Sequence, residues 1–214
     1  MKFIPKNLVK NLKNKQRFQN LNQMKFIIEH LEPELYDWCL IEYEHISKIT
    51  GKGNLIFTNI EKKDMNKLKK YGVVYQKNIS KLDFSNICVL SQYSKKTLKI
   101  KDKNKFQYLV FGGILGDNPA KKRTETIIKK LKNKKVKFET RNLGNKQMPT
   151  DVAVFVTKNI LDGKNLNQLK FVDEIEVEIN DNESVNLPFR YVINGNKLVI
   201  NQKLVDYLRK RKEF

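Results

Sequence analysis

Three glycines close the segment Phe111-Gly112-Gly113-Ile114-Leu115-Gly116-Asp117, directly after the apolar run Tyr108-Leu109-Val110. Glycine at the carboxyl end of a strand lets the backbone come very close to a ligand. A second segment of this kind is Leu143-Gly144-Asn145-Lys146-Gln147-Met148-Pro149-Thr150-Asp151. It leaves an extended stretch and feeds an apolar one, where Thr150 suits a helix cap and Asp151 the positive helix end. Met148-Pro149 makes an apolar, rigid lip. A third patch, Leu187-Pro188-Phe189-Arg190-Tyr191, is polar and aromatic. None carries the Gly-Lys-Ser/Thr of a phosphate-binding loop or the glycine spacing of the dinucleotide fingerprint. Taken singly, each is equally an ordinary turn.

The elements that would position these loops alternate. Lys25-Phe26-Ile27-Ile28-Glu29 is a short apolar run that predicts a buried strand. Pro33 and Glu34 predict the first turn of a helix, with Leu35, Trp38, Cys39, Ile46 and Ile49 on one face and Gly51 and Gly53 at its end. Strands are predicted at 54–58, 87–90 and 106–111, a helix at 61–71 and another at 121–132. Residues 136–143 read as extended. Residues 150–161 are apolar almost all round, which predicts a buried helix. A last short helix is expected from Leu204 to Phe214. Strands alternating with helices imply an α/β protein with a largely parallel sheet.

The charge is lopsided: 43 Lys and Arg face 23 Asp and Glu, a net charge of +20 over 214 residues. Such a surface attracts phosphate backbones and acidic partners; it is equally the surface of a chain from a genome rich in Lys, Asn and Ile codons. The bases of residues 121–137 make one strong cluster. Residues 1–23 read as a basic tail, and 24–214 as the folded domain. Residues 171–186 reverse the trend, with six acids and no base. The 2 cysteines, Cys39 and Cys88, sit in apolar runs and read as reduced core residues of a cytoplasmic protein. With 2 histidines, His30 and His45, no zinc site is recognisable, so no metal is expected. No run approaches the roughly 20 apolar residues of a membrane span, and the amino terminus lacks a signal-peptide core.

Four blocks carry a resemblance. They are Phe26-Ile27-Ile28-Glu29-His30 with Trp38 and Glu42-Tyr43; 111–117 with Arg123-Thr124; Leu143-Gly144, Lys146-Gln147-Met148 and Thr150-Asp151; and 187–192. In this order they resemble a small family of SPOUT-class methyltransferases. That family includes predicted RNA methyltransferases and a fungal enzyme that methylates an arginine of a small-subunit ribosomal protein. The resemblance implies a carboxyl-terminal trefoil (α/β) knot and S-adenosylmethionine as donor. The donor would lie among Phe111, Gly112, Gly113, Ile114, Leu115, Gly116 and Asp117, then Leu143, Gly144, Lys146, Gln147, Met148 and Thr150, then Leu187, Pro188 and Phe189. It leaves open whether the protein is a monomer or a dimer.

Guanidinium stays protonated and is a poor nucleophile, so an arginine acceptor needs a carboxylate to orient it and take its proton. With the resemblance, Glu29, Glu42 and Asp117 are the catalytic candidates, with His30 and Tyr43 beside them. Asp151 is the weaker candidate, a helix-end charge. A buried Glu42 needs a partner: Arg141 or Arg190 as a structural one, or the substrate arginine as a functional one. The leading expectation is therefore a methyltransferase acting on an arginine of a ribosomal protein, with ribosomal or transfer RNA touching the basic face. The alternatives are a methyltransferase acting on rRNA or tRNA, and a non-catalytic basic RNA- or ribosome-binding protein.

Overall fold

The computed structural model describes residues 24–113 and 121–210. The basic tail 1–23, the loop residues Ile114, Leu115, Gly116 and Asp117, and the last four residues lie outside them. The expected knot draws on the segment 111–117, part of which therefore lies outside the described residues.

A six-stranded sheet organises the chain. Its strands are β1 (Lys25–His30), β2 (Leu55–Thr58), β3 (Val73–Val74), β4 (Ile87–Leu90), β5 (Tyr108–Gly113) and β6 (Phe138–Arg141), in the order β3-β2-β1-β5-β4-β6. Every pair is parallel. The central strands are covered on both faces, which is why they read as unbroken apolar runs. Alternate residues serve opposite faces. Phe26, Ile28, Leu109 and Phe111 join one core with α1 (Asp37–Thr50) and α4 (Thr150–Leu161). Ile27, Val89 and Val110 join the other with α3 (Thr124–Asn133).

Two predicted helices are shorter than expected. α1 starts at Asp37, not at Pro33, because Leu31 continues the pairing of β1 with β5: its N–H donates to the Gly113 carbonyl at 3.3 Å. Residues 32–36 are then a rim, not a first turn. Of 61–71 only α2 (Met65–Leu68) is α-helical; before Tyr71 at its end the stretch has apolar side chains only at Met65 and Leu68, one turn's worth of stripe.

After α4 the chain adds a three-stranded antiparallel sheet of β7 (Lys170–Val172), β10 (Tyr191–Asn194) and β11 (Lys197–Leu198), and a hairpin of β8 (Ile175–Asn180) and β9 (Glu183–Leu187). Helix α5 (Gln202–Lys210) closes over α1, tied by the Asn201 side-chain amide donating to the Ile41 carbonyl at 2.9 Å. Among the described residues no helix is long and apolar enough to cross a membrane.

Candidate active site

A cleft opens where β4, β5 and β6 end. Parallel α/β sheets place ligands at this edge because the loops, not the ladders, leave backbone groups uncommitted there. Six of the predicted donor residues from the second loop line it: Leu143, Gly144, Lys146, Gln147, Met148 and Thr150. Phe111 and Gly112 line it from the first. Gly113 does not. A Cβ there would lie 2.3 Å from the Tyr43 Oη and 2.8 Å from Ile28 Cγ2, so this glycine makes room for Tyr43 in the core. A Cβ on Gly112 would meet Thr124 Oγ1 at 3.0 Å on the cleft side.

The walls are hydrogen-bonded to one another. Thr150 donates its hydroxyl to the Gly112 carbonyl at 3.0 Å, joining the first loop to the second. Asn142 holds both sides of its own turn: its Oδ1 accepts from Gly144 N–H at 3.0 Å and its amide donates to the Ser94 carbonyl at 2.7 Å. Leu187, Pro188 and Phe189 do not line the cleft. Their segment supports it from behind, where Arg190 N–H donates to the Gln147 carbonyl at 2.8 Å. The Arg190 side chain turns away to Asp173 at 2.5 Å and over the Phe171 ring.

The acids separate. Glu29 lies on the α3 face of β1, sealed from solvent, and accepts from Thr58 Oγ1 at 2.6 Å and Ile79 N–H at 2.9 Å. Burial raises its pKa, although those two bonds oppose the rise. His30 takes the opposite face, its Nδ1 2.7 Å from the Tyr43 hydroxyl, and burial lowers its pKa. Glu42 is buried beneath the cleft and accepts the N–H groups of Thr150 at 3.0 Å and Asp151 at 3.4 Å. It caps the start of α4. Burial, and then the nearby Asp151 carboxylate, holds its pKa well above the ordinary value. Its partners are thus backbone, not the arginines expected: Arg141 is clamped on Asp102 at 2.9 and 3.0 Å, and Arg190 on Asp173. Asp151 bonds His45 Nδ1 at 2.7 Å. Among the described residues no group of three or more His, Cys, Asp or Glu is placed to hold a metal ion.

The family model for SFM1-like protein arginine N-methyltransferases matches residues 25–213. The chain belongs to that family. Protein arginine N-methyltransferase SFM1 of Saccharomyces cerevisiae is 33% identical over 205 residues, covering 87% of this chain and 95% of the yeast protein. The crystal structure of the yeast arginine methyltransferase SFM1 complexed with SAM has a TM-score of 0.80 at 32% identity, over 92% of this chain and 95% of that one. The complex with SAH has a TM-score of 0.78 at 32% identity, over 92% and 99%. A Trm10 protein of Thermococcus kodakaraensis shares the fold alone, with a TM-score of 0.54 at 17% identity over 68% of this chain and 96% of that one. The six-stranded parallel sheet with its flanking helices is thus SPOUT-like.

In this SFM1-like chain the cleft takes further residues that sequence reasoning passed over. Leu90, Ser91, Gln92 and Tyr93 contribute the end of β4, and Ala153 a turn of α4. Position at a strand's carboxyl end was the available signal. Lys121, Lys122, Arg123 and Lys146 make the lining basic, and no acid among the described residues joins them. The lining also contains an uncommitted donor: the buried Gln147 Nε2 has no hydrogen-bond partner among the described residues.

Proposed function

We propose that this protein transfers a methyl group from S-adenosylmethionine to the side chain of an arginine in a protein, and that the acceptor protein is ribosomal. The observation that carries the reading is the Gln147 amide. A buried N–H without an acceptor costs free energy, and it is tolerated where a ligand supplies the acceptor. Around it stand the groups such a donor needs. Leu143 and Met148 offer apolar surface for an adenine ring. The backbone at Gly112 and Gly144 permits close approach. The start of α3, at Thr124, lies in the same wall, where the positive end of a helix favours an anionic carboxylate. When bound, the donor contributes a methyl group on a positively charged sulfur. The protein's share is orientation of the two partners and disposal of a proton.

The finer assignment rests on charge and kinship. A net charge of +20 suits an enzyme working against a ribosome-sized, RNA-lined partner in the cytoplasm. The same basic face favours a second reading, methylation of rRNA or tRNA itself. Two measurements test the set. Calorimetric titration with S-adenosylmethionine and its demethylated product, with and without chelator, should show binding in both; absence of heat with folded protein removes the donor. Labelled methyl transfer into total ribosomes, followed by separate protease and ribonuclease digestion, should leave the label as methylarginine. Label recovered in nucleotides overturns the protein acceptor.

A further inference from the structure

Beside the basic cleft lies a second opening with the opposite character. Glu32, Glu34, Glu61 and Asp64 line it, with no Lys or Arg among its walls. The two openings meet at one ion pair. Arg123, which lines the cleft, places Nη1 2.9 Å from Glu32 Oε2, which lines the second opening. The Glu32 side chain is only 9% exposed, so this is not a loose surface pair. Its place is fixed from below: Leu31, one residue before it, is bonded to Gly113 of β5.

We propose that Glu32 is the carboxylate that binds the acceptor guanidinium, and that Arg123 holds its place until the acceptor arrives. The inference rests on the methyltransferase reading above. An arginine acceptor is a cation and is repelled by the basic cleft; the acidic opening is the side from which it is drawn in. A carboxylate matches the planar N–H fork of a guanidinium, and Glu32 already holds one guanidinium. Among the described residues the other acids near the cleft have partners within the protein: Glu29 bonds Thr58 and Ile79 through one oxygen, Glu42 bonds the start of α4 through one oxygen, Asp151 bonds His45, and Glu125 accepts from the Ser91 hydroxyl. In the step, the acceptor nitrogen forms a bond to the methyl carbon while the carbon–sulfur bond breaks with its electron pair staying on sulfur. The nitrogen gives up one proton, which Glu32 accepts and passes to water. The product is a methylated guanidinium that keeps its positive charge.

The test uses the full chain, the donor and a peptide or ribosomal acceptor on which the parent is active. Glu32→Gln, which retains an oxygen for Arg123, should bind the donor within about twofold of the parent by calorimetry. Its kcat should fall by about 10²-fold or more, the weight of a positioned base. Glu32→Ala should be equally impaired, and formate should restore part of its turnover by filling the space as a free carboxylate. A residue that only braced Arg123 would not respond to formate in this way. Turnover of Glu32→Gln within about threefold of the parent overturns the inference while leaving the methyltransferase reading intact. A parent that forms no methylarginine sinks that reading itself and is seen before any variant is made.

Discussion

Glu29 and Glu32 lie three residues apart at the end of one strand, and the structure gives them opposite surroundings. Glu29 is enclosed by Thr58 and the turn at Ile79, on the far side of the sheet from α1. Glu32 stands in the wall between a basic and an acidic opening, in contact with an arginine that lines the cleft. Both are shielded carboxylates beside a cleft. Burial alone therefore does not mark a catalytic acid: it is also found in an acid that one backbone and one hydroxyl donor hold within the fold, as Oε2 of Glu29 is held. Glu42 makes the point again, since its Oε1 accepts two N–H groups of its own protein. What separates the two regions is whether a carboxylate's partner can be exchanged for a ligand.

The largest effect expected from breaking the sealed region is at Gly113. Gly113→Val puts side-chain atoms into the Tyr43 hydroxyl and Ile28, and overpacking of this severity should cost about 3 kcal/mol or more. Chemical denaturation should show a much lowered midpoint or no folded state. Gly112→Ala, whose Cβ meets only the ends of Thr124 and Leu31 at 3.0 and 3.1 Å, should fold and lose donor affinity instead. Equal loss of stability in both would erase the distinction between the two glycines.

Next comes Glu42. Glu42→Ala strips the acceptor from two buried N–H groups at the start of α4 and leaves a cavity, at a cost of about 2–4 kcal/mol. Glu42→Gln keeps an oxygen and should be far milder. The pH dependence follows from the raised folded pKa: the folded protein keeps a proton that the unfolded chain gives up near its ordinary value of 4.5. Stability from this group therefore falls as pH rises above 4.5 towards the folded value, and is constant below that window. Denaturation midpoints at acid and mildly alkaline pH should show the slope in the parent and a reduced slope in Glu42→Gln. A variant with the parent's slope would place the titration elsewhere.

A smaller effect belongs to the open region. Gln147→Leu removes a donor that has no partner among the described residues, so stability should hold or rise slightly. Donor affinity should weaken about tenfold, the worth of one hydrogen bond. Unchanged affinity by calorimetry would mean that the amide faces no ligand atom.

The smallest change is expected at Glu29. Burial favours its neutral form, so Glu29→Gln imitates it closely. Methyl transfer should stay within about twofold of the parent. A loss of about 10²-fold with donor affinity retained would instead give Glu29 the acceptor role proposed for Glu32.

The chain's local patterns determined a good deal. The apolar runs at 25–30, 55–58, 87–90 and 108–113 became parallel strands, and the all-round apolar stretch 150–161 became a helix with the bounds expected, Thr150–Leu161. The two glycine-bearing loops were legible as ligand-facing, and eight of their residues line one cleft. Periodicity records that a residue is buried, because each face of a strand or helix answers to its own spacing. It does not record against what. Only the crossover that sets β5 between β1 and β4 decided that Glu29 would face Thr58 and Ile79, and that Gly113 would serve Tyr43 while Gly112 served the cleft. Only the return of the chain at Arg190 decided that 187–189 would brace the second loop rather than touch a ligand. The pairing of Glu32 with Arg123 spans 91 positions. No local pattern encodes it, because the free energy that brings those two charges together is spent in packing β1, β5 and α3 rather than in the residues themselves.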